Sequence, residues 1–233
     1  MKRADDLPSA VVAKPTGKTK RKQGKRYGHV THQPVYCYQG KDYPINTKVA
    51  SGCYTQPLRE IIQRIVEAVA RYRRVLFVRL DLSMGEEAAT SERLSAFLKL
   101  ASRYVRREYQ TRLEYVWCRE LETAKHQHYH LALFIDGDKL RHPARLYEEL
   151  TKIWQRQWEP PSIPENDDPM ANDHNSKKGR LSIPENGYLM TDDHNITEAV
   201  KRVSYLTKER GKGYRPNGAR DFGYSRLTKL DKT

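Results

Sequence analysis

The feature that most constrains this chain is a pair of strand-like segments, Glu114 to Leu121 and His128 to Ile135, separated only by a short polar stretch. Two such runs so close in sequence predict an antiparallel hairpin. An isolated hairpin is marginal in water, so it needs further strands or helices to pack on. The sequence supplies both. Val75 to Leu82 is rich in β-branched and aromatic residues and reads as another strand. Strand alternation puts Arg79 and Asp81 on one of its faces and Leu76, Val78, Leu80 and Leu82 on the other.

Four stretches carry helical periodicity. Gln56 to Arg74 repeats Leu58, Ile61, Ile62, Ile65, Val66 and Val69, and Ser91 to Glu108 repeats Leu94, Phe97, Leu98 and Leu100. Pro143 to Trp158 carries Leu146, Leu150 and Trp154 on one stripe. Ile196 to about Glu209 follows Asn195, a suitable N-cap, and stops before Gly211 and Gly213. Val35 to Thr55, with Tyr36, Tyr38, Tyr43 and Tyr54 among glycines and prolines, reads as an irregular lead-in. This order predicts an α+β fold with a central, mainly antiparallel sheet flanked by helices.

The length of 233 residues suits one domain with extensions. Residues 1–33 read as a basic tail, 34–226 as the domain and 227–233 as a short second tail. Inside the domain, the loop region 159–186 holds a tandem duplication. Ser162-Ile163-Pro164-Glu165-Asn166 recurs as Ser182-Ile183-Pro184-Glu185-Asn186, and Asp173-His174-Asn175 as Asp193-His194-Asn195. Two copies are too few for a solenoid. The second copy runs straight into the last helix, so the first reads as the insertion, and a copied histidine needs no metal to explain it.

A formal net charge of +14 and a pI near 9.6 favour a polyanionic partner, although they do not separate DNA from RNA or from an anionic membrane. Cys37, Cys53 and Cys118 are scattered, which excludes a zinc ribbon or a disulfide framework. No apolar run has the length of a signal-peptide core or a membrane span, so a soluble, cytoplasmic protein without membrane contact is expected.

The sharpest chemical pattern is Glu120 followed by His128-Tyr129-His130. Histidines at i and i+2 on a strand project to one face. If the hairpin opposes Glu120 to either histidine, all three side chains gather in one patch. One carboxylate and two imidazoles suit Mg²⁺, Mn²⁺ or a similar divalent ion. Glu122, nearer the loop, has the same parity as Glu120 and competes for that role. His126 shares the parity too, and Cys118 lies on the Glu120 face without the second cysteine that a zinc site would use.

The second pattern is Tyr205-Leu206-Thr207-Lys208. Tyr205 falls off the apolar stripe of Ile196, Ala199, Val200, Val203 and Leu206, on the side shared by Lys201 and Lys208. Two ammonium groups beside a phenol favour the phenolate, and can hold a DNA backbone. Either pattern alone is common; their conjunction in a basic chain is much more specific.

At these residues the sequence resembles the HUH endonucleases that initiate rolling-circle replication. Within them it is most similar to the replication initiation proteins of filamentous phages (inoviruses) and their prophage-borne YagK/YfjJ-like relatives. The likeness is carried by Tyr43-Pro44-Ile45-Asn46-Thr47, Phe77 to Leu82, Arg119-Glu120, His128-Tyr129-His130-Leu131, Ser204 to Lys208 and Phe222-Gly223-Tyr224-Ser225-Arg226, and covers roughly residues 36–226. It implies His128 and His130 as metal ligands with Glu120 as the third, Tyr205 as the nucleophile on the scissile phosphate, and Lys208 assisting. Arg79, Lys201 and Arg226 are candidate DNA contacts. The implied partners are single-stranded or supercoiled origin DNA with a host helicase and polymerase, since the sequence carries no G-x-x-x-x-G-K-[ST] loop of its own. Two other readings stay open: an HUH transposase or mobilisation relaxase, and a DNA-binding regulator that has lost activity.

Overall fold

The structure, a computed structural model, describes residues 27–48, 51–84, 91–121, 127–158, 179–213 and 219–227. Most of the basic tail, the first repeat copy, Glu122 and His126 lie outside the described residues.

The fold is α+β. Its centre is an antiparallel sheet in the order β10-β6-β7-β5-β8, with β9 also paired to β5. These strands are β5 (Val75–Ser83), β6 (Glu114–Glu120), β7 (His128–Asp136), β8 (Arg180–Ser182), β9 (Tyr188–Thr191) and β10 (Phe222–Tyr224). The expected hairpin is β6–β7, and β5 pairs with β7 along its whole length, from Val75 opposite Asp136 to Ser83 opposite His128.

Strand alternation divides the core into two layers. Leu76, Val78, Leu80 and Leu82 of β5 join Trp117, Tyr129, Leu131, Leu133 and Ile135 against α2 (Glu92–Tyr109) and α3 (Ala144–Arg156). There Phe97 and Trp154 meet edge to face at 5.5 Å. The other layer sets Phe77, Val116, Cys118, Ala132 and Phe134 against α1 (Thr55–Arg71) and α4 (Ile196–Ser204). Each helix buries the stripe that its 3.6-residue spacing generates, such as Leu58, Ile61, Ile62, Ile65 and Val69 in α1.

Four sequence expectations change. The lead-in is not irregular: β1 (Val30–Thr31) pairs with β4 (Cys53–Tyr54), and β2 (Val35–Tyr38) with β3 (Lys41–Pro44). The end of the stretch read as a tail belongs to the fold, since Tyr27 is buried against Tyr54 and Phe222. The second repeat copy is not a plain loop, because it opens on Ser182, the last residue of β8, and contains β9, both strands held by β5. Finally, the last helix stops at Ser204 instead of reaching Glu209. Its side chains compete with the helical backbone. The Ser204 hydroxyl donates to the Lys201 carbonyl at 2.7 Å and accepts the Asn46 N–H at 2.8 Å, while the Thr207 hydroxyl donates to the Ser204 carbonyl at 2.7 Å. A single 3-10 turn, Tyr205–Thr207, follows, and Lys208 leaves it extended to bridge Cys53. Among the described residues no helix is long and apolar enough to cross a membrane.

Candidate active site

The α1/α4 face of the sheet turns from apolar to charged at one end. Along β5 it passes from Phe77 to Arg79 and Asp81, along β7 from Ala132 to His130 and His128, and along β6 from Cys118 to Glu120. The register places Glu120 opposite His128, and His130 opposite both Cys118 and Asp81. The predicted gathering of Glu120 and the histidines on one face therefore occurs.

His130 is the hub. Its Nδ1 lies 2.7 Å from Asp81 Oδ1 and its Nε2 lies 3.1 Å from Glu120 Oε2. Burial alone would lower the imidazole pKa, but the hydrogen bonds to Asp81 and Glu120 raise it above the ordinary value of 6.5. Glu120 responds in the opposite sense: burial works to raise it, yet His130 and Lys212 hold it at about 2. Burial likewise works to raise Asp81, and His130 with Arg79 pulls it below 3.8.

Lys212 joins the cluster with no signal in the sequence pattern. Its side chain is 0% exposed, and its ammonium forms a salt bridge with Glu120 Oε1. Burial works against that charge, while Cys118 and Glu120 raise its pKa above the ordinary lysine value. Gly211, in the left-handed region at φ +74°, brings the chain over Glu120, with its carbonyl accepting the Leu121 N–H at 3.0 Å. No periodic pattern announces a buried lysine in a Gly-Lys-Gly turn. Asp81 was placed on the correct face by parity, but nothing in the sequence tied it to His130.

Tyr205 stands over this cluster. Its ring is 5.8 Å from the His130 ring, edge to face. Two cations lie over the ring, the Arg79 guanidinium at 4.9 Å and the Lys208 ammonium at 4.8 Å. Lys208 is thus where the sequence expected it, but the second cation is Arg79, and Lys201 is exposed on α4. The expected shift towards phenolate is also reversed. Burial and the Glu120 carboxylate raise the Tyr205 pKa, and Arg79 offsets this only in part. Arg226 does not join the site; it lines a separate cleft with Tyr27, Arg64 and Arg220.

The donor chemistry fits a hard divalent ion at two positions. His130 Nε2 and Glu120 Oε2 hydrogen-bond each other at 3.1 Å, so an ion takes both donors only once that proton leaves the imidazole. Asp81 on Nδ1 matches the carboxylate that orients a metal-binding imidazole. Among the described residues no three His, Cys, Asp or Glu side chains converge on one point, so His128 shares the face without closing a three-ligand set. Cys118 is a poor alternative donor, because burial pushes its thiol up to about 12.

Comparison with protein families now bears on this geometry. The family model described as the YagK/YfjJ C-terminal domain matches residues 40–225. The chain belongs to that family. The YagK/YfjJ match runs from the turn between β2 and β3 to the residue after β10, and so takes in Asp81, Glu120, His128, His130, Tyr205, Lys208 and Lys212. Comparisons with curated proteins and with solved structures gave no match.

Proposed function

We propose that this YagK/YfjJ domain nicks one DNA strand by tyrosine attack, as a replication initiator of the HUH type related to those of filamentous phages. The observation that carries the reading is the placement of Tyr205 edge-on to His130, which itself pairs with Glu120. A phenol, a carboxylate–imidazole pair and two cations occupy one patch of a chain with net charge +14. That combination suits phosphoryl transfer, where positioning and charge stabilisation dominate.

In this mechanism the Tyr205 oxygen forms a bond to the scissile phosphorus and the bond from phosphorus to the 3′ oxygen breaks. The phenol loses its proton and the departing 3′ oxygen gains one. The protein is left on the 5′ phosphate, and a free 3′ hydroxyl remains for a host polymerase, with a host helicase to separate the strands. Because its pKa is raised, Tyr205 rests as a neutral phenol. Arg79 and Lys208 offset the negative charge that grows during attack. Glu120 and His130, with His128 on the same face, would hold Mg²⁺ or Mn²⁺, which when bound supplies Lewis-acid charge to a phosphate oxygen. Asp81 keeps the His130 ring oriented.

The test is to incubate the protein with Mn²⁺ and either single-stranded or supercoiled DNA carrying the sequence that flanks its gene. A protein–DNA adduct that survives denaturation is expected, and Tyr205→Phe should abolish it. No adduct with any divalent ion would sink the reading; an adduct persisting in Tyr205→Phe would sink the choice of nucleophile. A DNA-binding protein without catalysis is the second reading. It is favoured by Lys212, whose ammonium already neutralises Glu120, and it expects retained DNA with no adduct.

A further inference from the structure

The duplicated Ser-Ile-Pro-Glu-Asn motif is not used by the chemistry above, yet its second copy is placed beside the nucleophile. Strand β8 ends where Ser182 opposes Asp81, and β9 begins where Tyr188 opposes Val78. Residues 183–187 therefore loop outward from the sheet edge next to Arg79. A cleft of about 300 Å³ lies there, walled by Asn46, Arg79, Glu185, Asn186, Arg202 and Tyr205.

We propose that this turn is the specificity wall of a nucleobase pocket adjoining Tyr205, which takes a base with its amino group at pyrimidine position 4 or purine position 6, cytosine or adenine, and refuses thymine. The inference rests on the strand-cleavage reading for its ligand class.

Three observations carry it. First, the turn is tied down by hydrogen bonds from two sides. The Gly187 carbonyl accepts the Arg79 N–H at 2.6 Å and the Tyr147 hydroxyl at 3.1 Å, and Arg202 donates to the Asn186 and Tyr188 carbonyls at 3.3 and 3.5 Å. Asn186 itself sits in the left-handed region at φ +55°. Such preorganisation is what a discriminating contact needs.

Second, the polar groups are of the reading kind. Asn46 and Asn186 offer amides, each able to give and accept a hydrogen bond, and Glu185 offers a carboxylate that only accepts. Carboxylates accept from the cytosine N4 amine, and amides pair with adenine N6 and N7. Thymine has a carbonyl where these bases have the amine, so it would leave Glu185 facing an acceptor.

Third, two guanidiniums stand at the cleft, Arg79 held by Asp81 at 3.2 Å and Arg202 by Glu198 at 2.8 Å. Arg79 and Arg202 line the same cleft, and Arg79 also covers the Tyr205 ring at 4.9 Å. A nucleotide whose phosphate meets Tyr205 can thus place its base against the turn.

The experiment uses the full chain carrying Tyr205→Phe, so that binding is read without cleavage. A fully randomised single-stranded DNA pool is passed over the protein, and the retained strands are sequenced. One position depleted of thymine roughly tenfold is expected, in line with the discrimination of one good base contact. Adding Glu185→Ala with Asn186→Gly, which keeps the turn conformation, should reduce that depletion to within about twofold. Glu185→Gln, whose amide can donate to a carbonyl, should move the preference towards thymine. No retained DNA, no thymine-depleted position, or a depletion unchanged by these variants would overturn the pocket. The cleavage reading fails by a different outcome, the absence of an adduct with wild-type protein.

Discussion

His130 Nε2 reaches Glu120 Oε2 at 3.1 Å although the two residues are not directly opposed in the sheet. Glu120 faces His128, and His130 faces Cys118. The contact is a diagonal one, which long side chains can span and short ones cannot. Glu120→Asp keeps the charge but shortens the reach by one methylene. Misplacing a reacting group by about 1 Å can cost roughly a hundredfold in rate. We expect adduct formation to slow by that order in Glu120→Asp, measured as single-turnover rate on the cleaved strand, with the fold unchanged by circular dichroism.

The same pair sets a pH window for stability. Glu120 has a folded pKa of about 2 against an ordinary 4.5, so its contribution is present above 4.5 and disappears as pH falls towards 2. His130 is raised above 6.5, so its contribution is complete below 6.5 and is lost as pH rises through the folded value. Urea midpoints taken with a chelator present should therefore peak between about pH 4.5 and 6.5. Glu120→Gln should flatten the acid limb, and a profile identical to wild type would refute the assignment.

Lys212 is wholly buried, and its only counter-charge among the ion pairs described is Glu120. Removing one partner of a buried pair typically costs about 3–5 kcal/mol, because the other charge is stranded. Glu120 keeps His130, so Lys212→Met should cost nearer the low end, about 3 kcal/mol. Combining it with Glu120→Gln should cost less than the sum of the two. Urea denaturation of the four proteins gives the coupling, and strict additivity would contradict it.

Gly223 in β10 lies directly against the Trp117 indole. A methyl placed there would come within 2.3 Å of the ring carbons. Trp117 in turn packs edge to face on Tyr129 at 5.6 Å. Gly223→Ala must displace the indole, and overpacking of this kind costs about 1–3 kcal/mol. A lower thermal midpoint with an altered near-ultraviolet dichroism spectrum is the expected result.

The sheet and its layers were legible in the sequence because they rest on period-two and period-3.6 patterns. Val78 to Leu82 alternates cleanly, and the parity of Glu120, His128 and His130 sufficed to put them on one face. What escaped were contacts that no period encodes. Lys212 comes to Glu120 from a position 92 residues away, through a turn set by Gly211. Arg79 came to Tyr205, in place of Lys201, because the two meet only after α4 docks on the sheet. The early end of α4 escaped for another reason. Helix propensity continues through Leu206, while Ser204 and Thr207 spend their hydroxyls on neighbouring carbonyls, an outcome fixed by the Asn46 strap against them.

Strands β8 and β9 lie on the same edge of β5, one against Asp81 to Ser83 and the other against Val75 to Val78. The register that aligns Asp81 with His130 is set by β7 on the opposite side of β5, so the chain before β8 can lengthen without shifting it. A tandem duplication upstream of β8 is the kind of change such an edge tolerates. The pairing of β5 with β7, which positions Asp81 and His130, is thus separate from the strands on the other side of β5. A change of length before β8 is absorbed at that edge of the sheet, away from the β5–β7 pairing that holds Asp81 to His130.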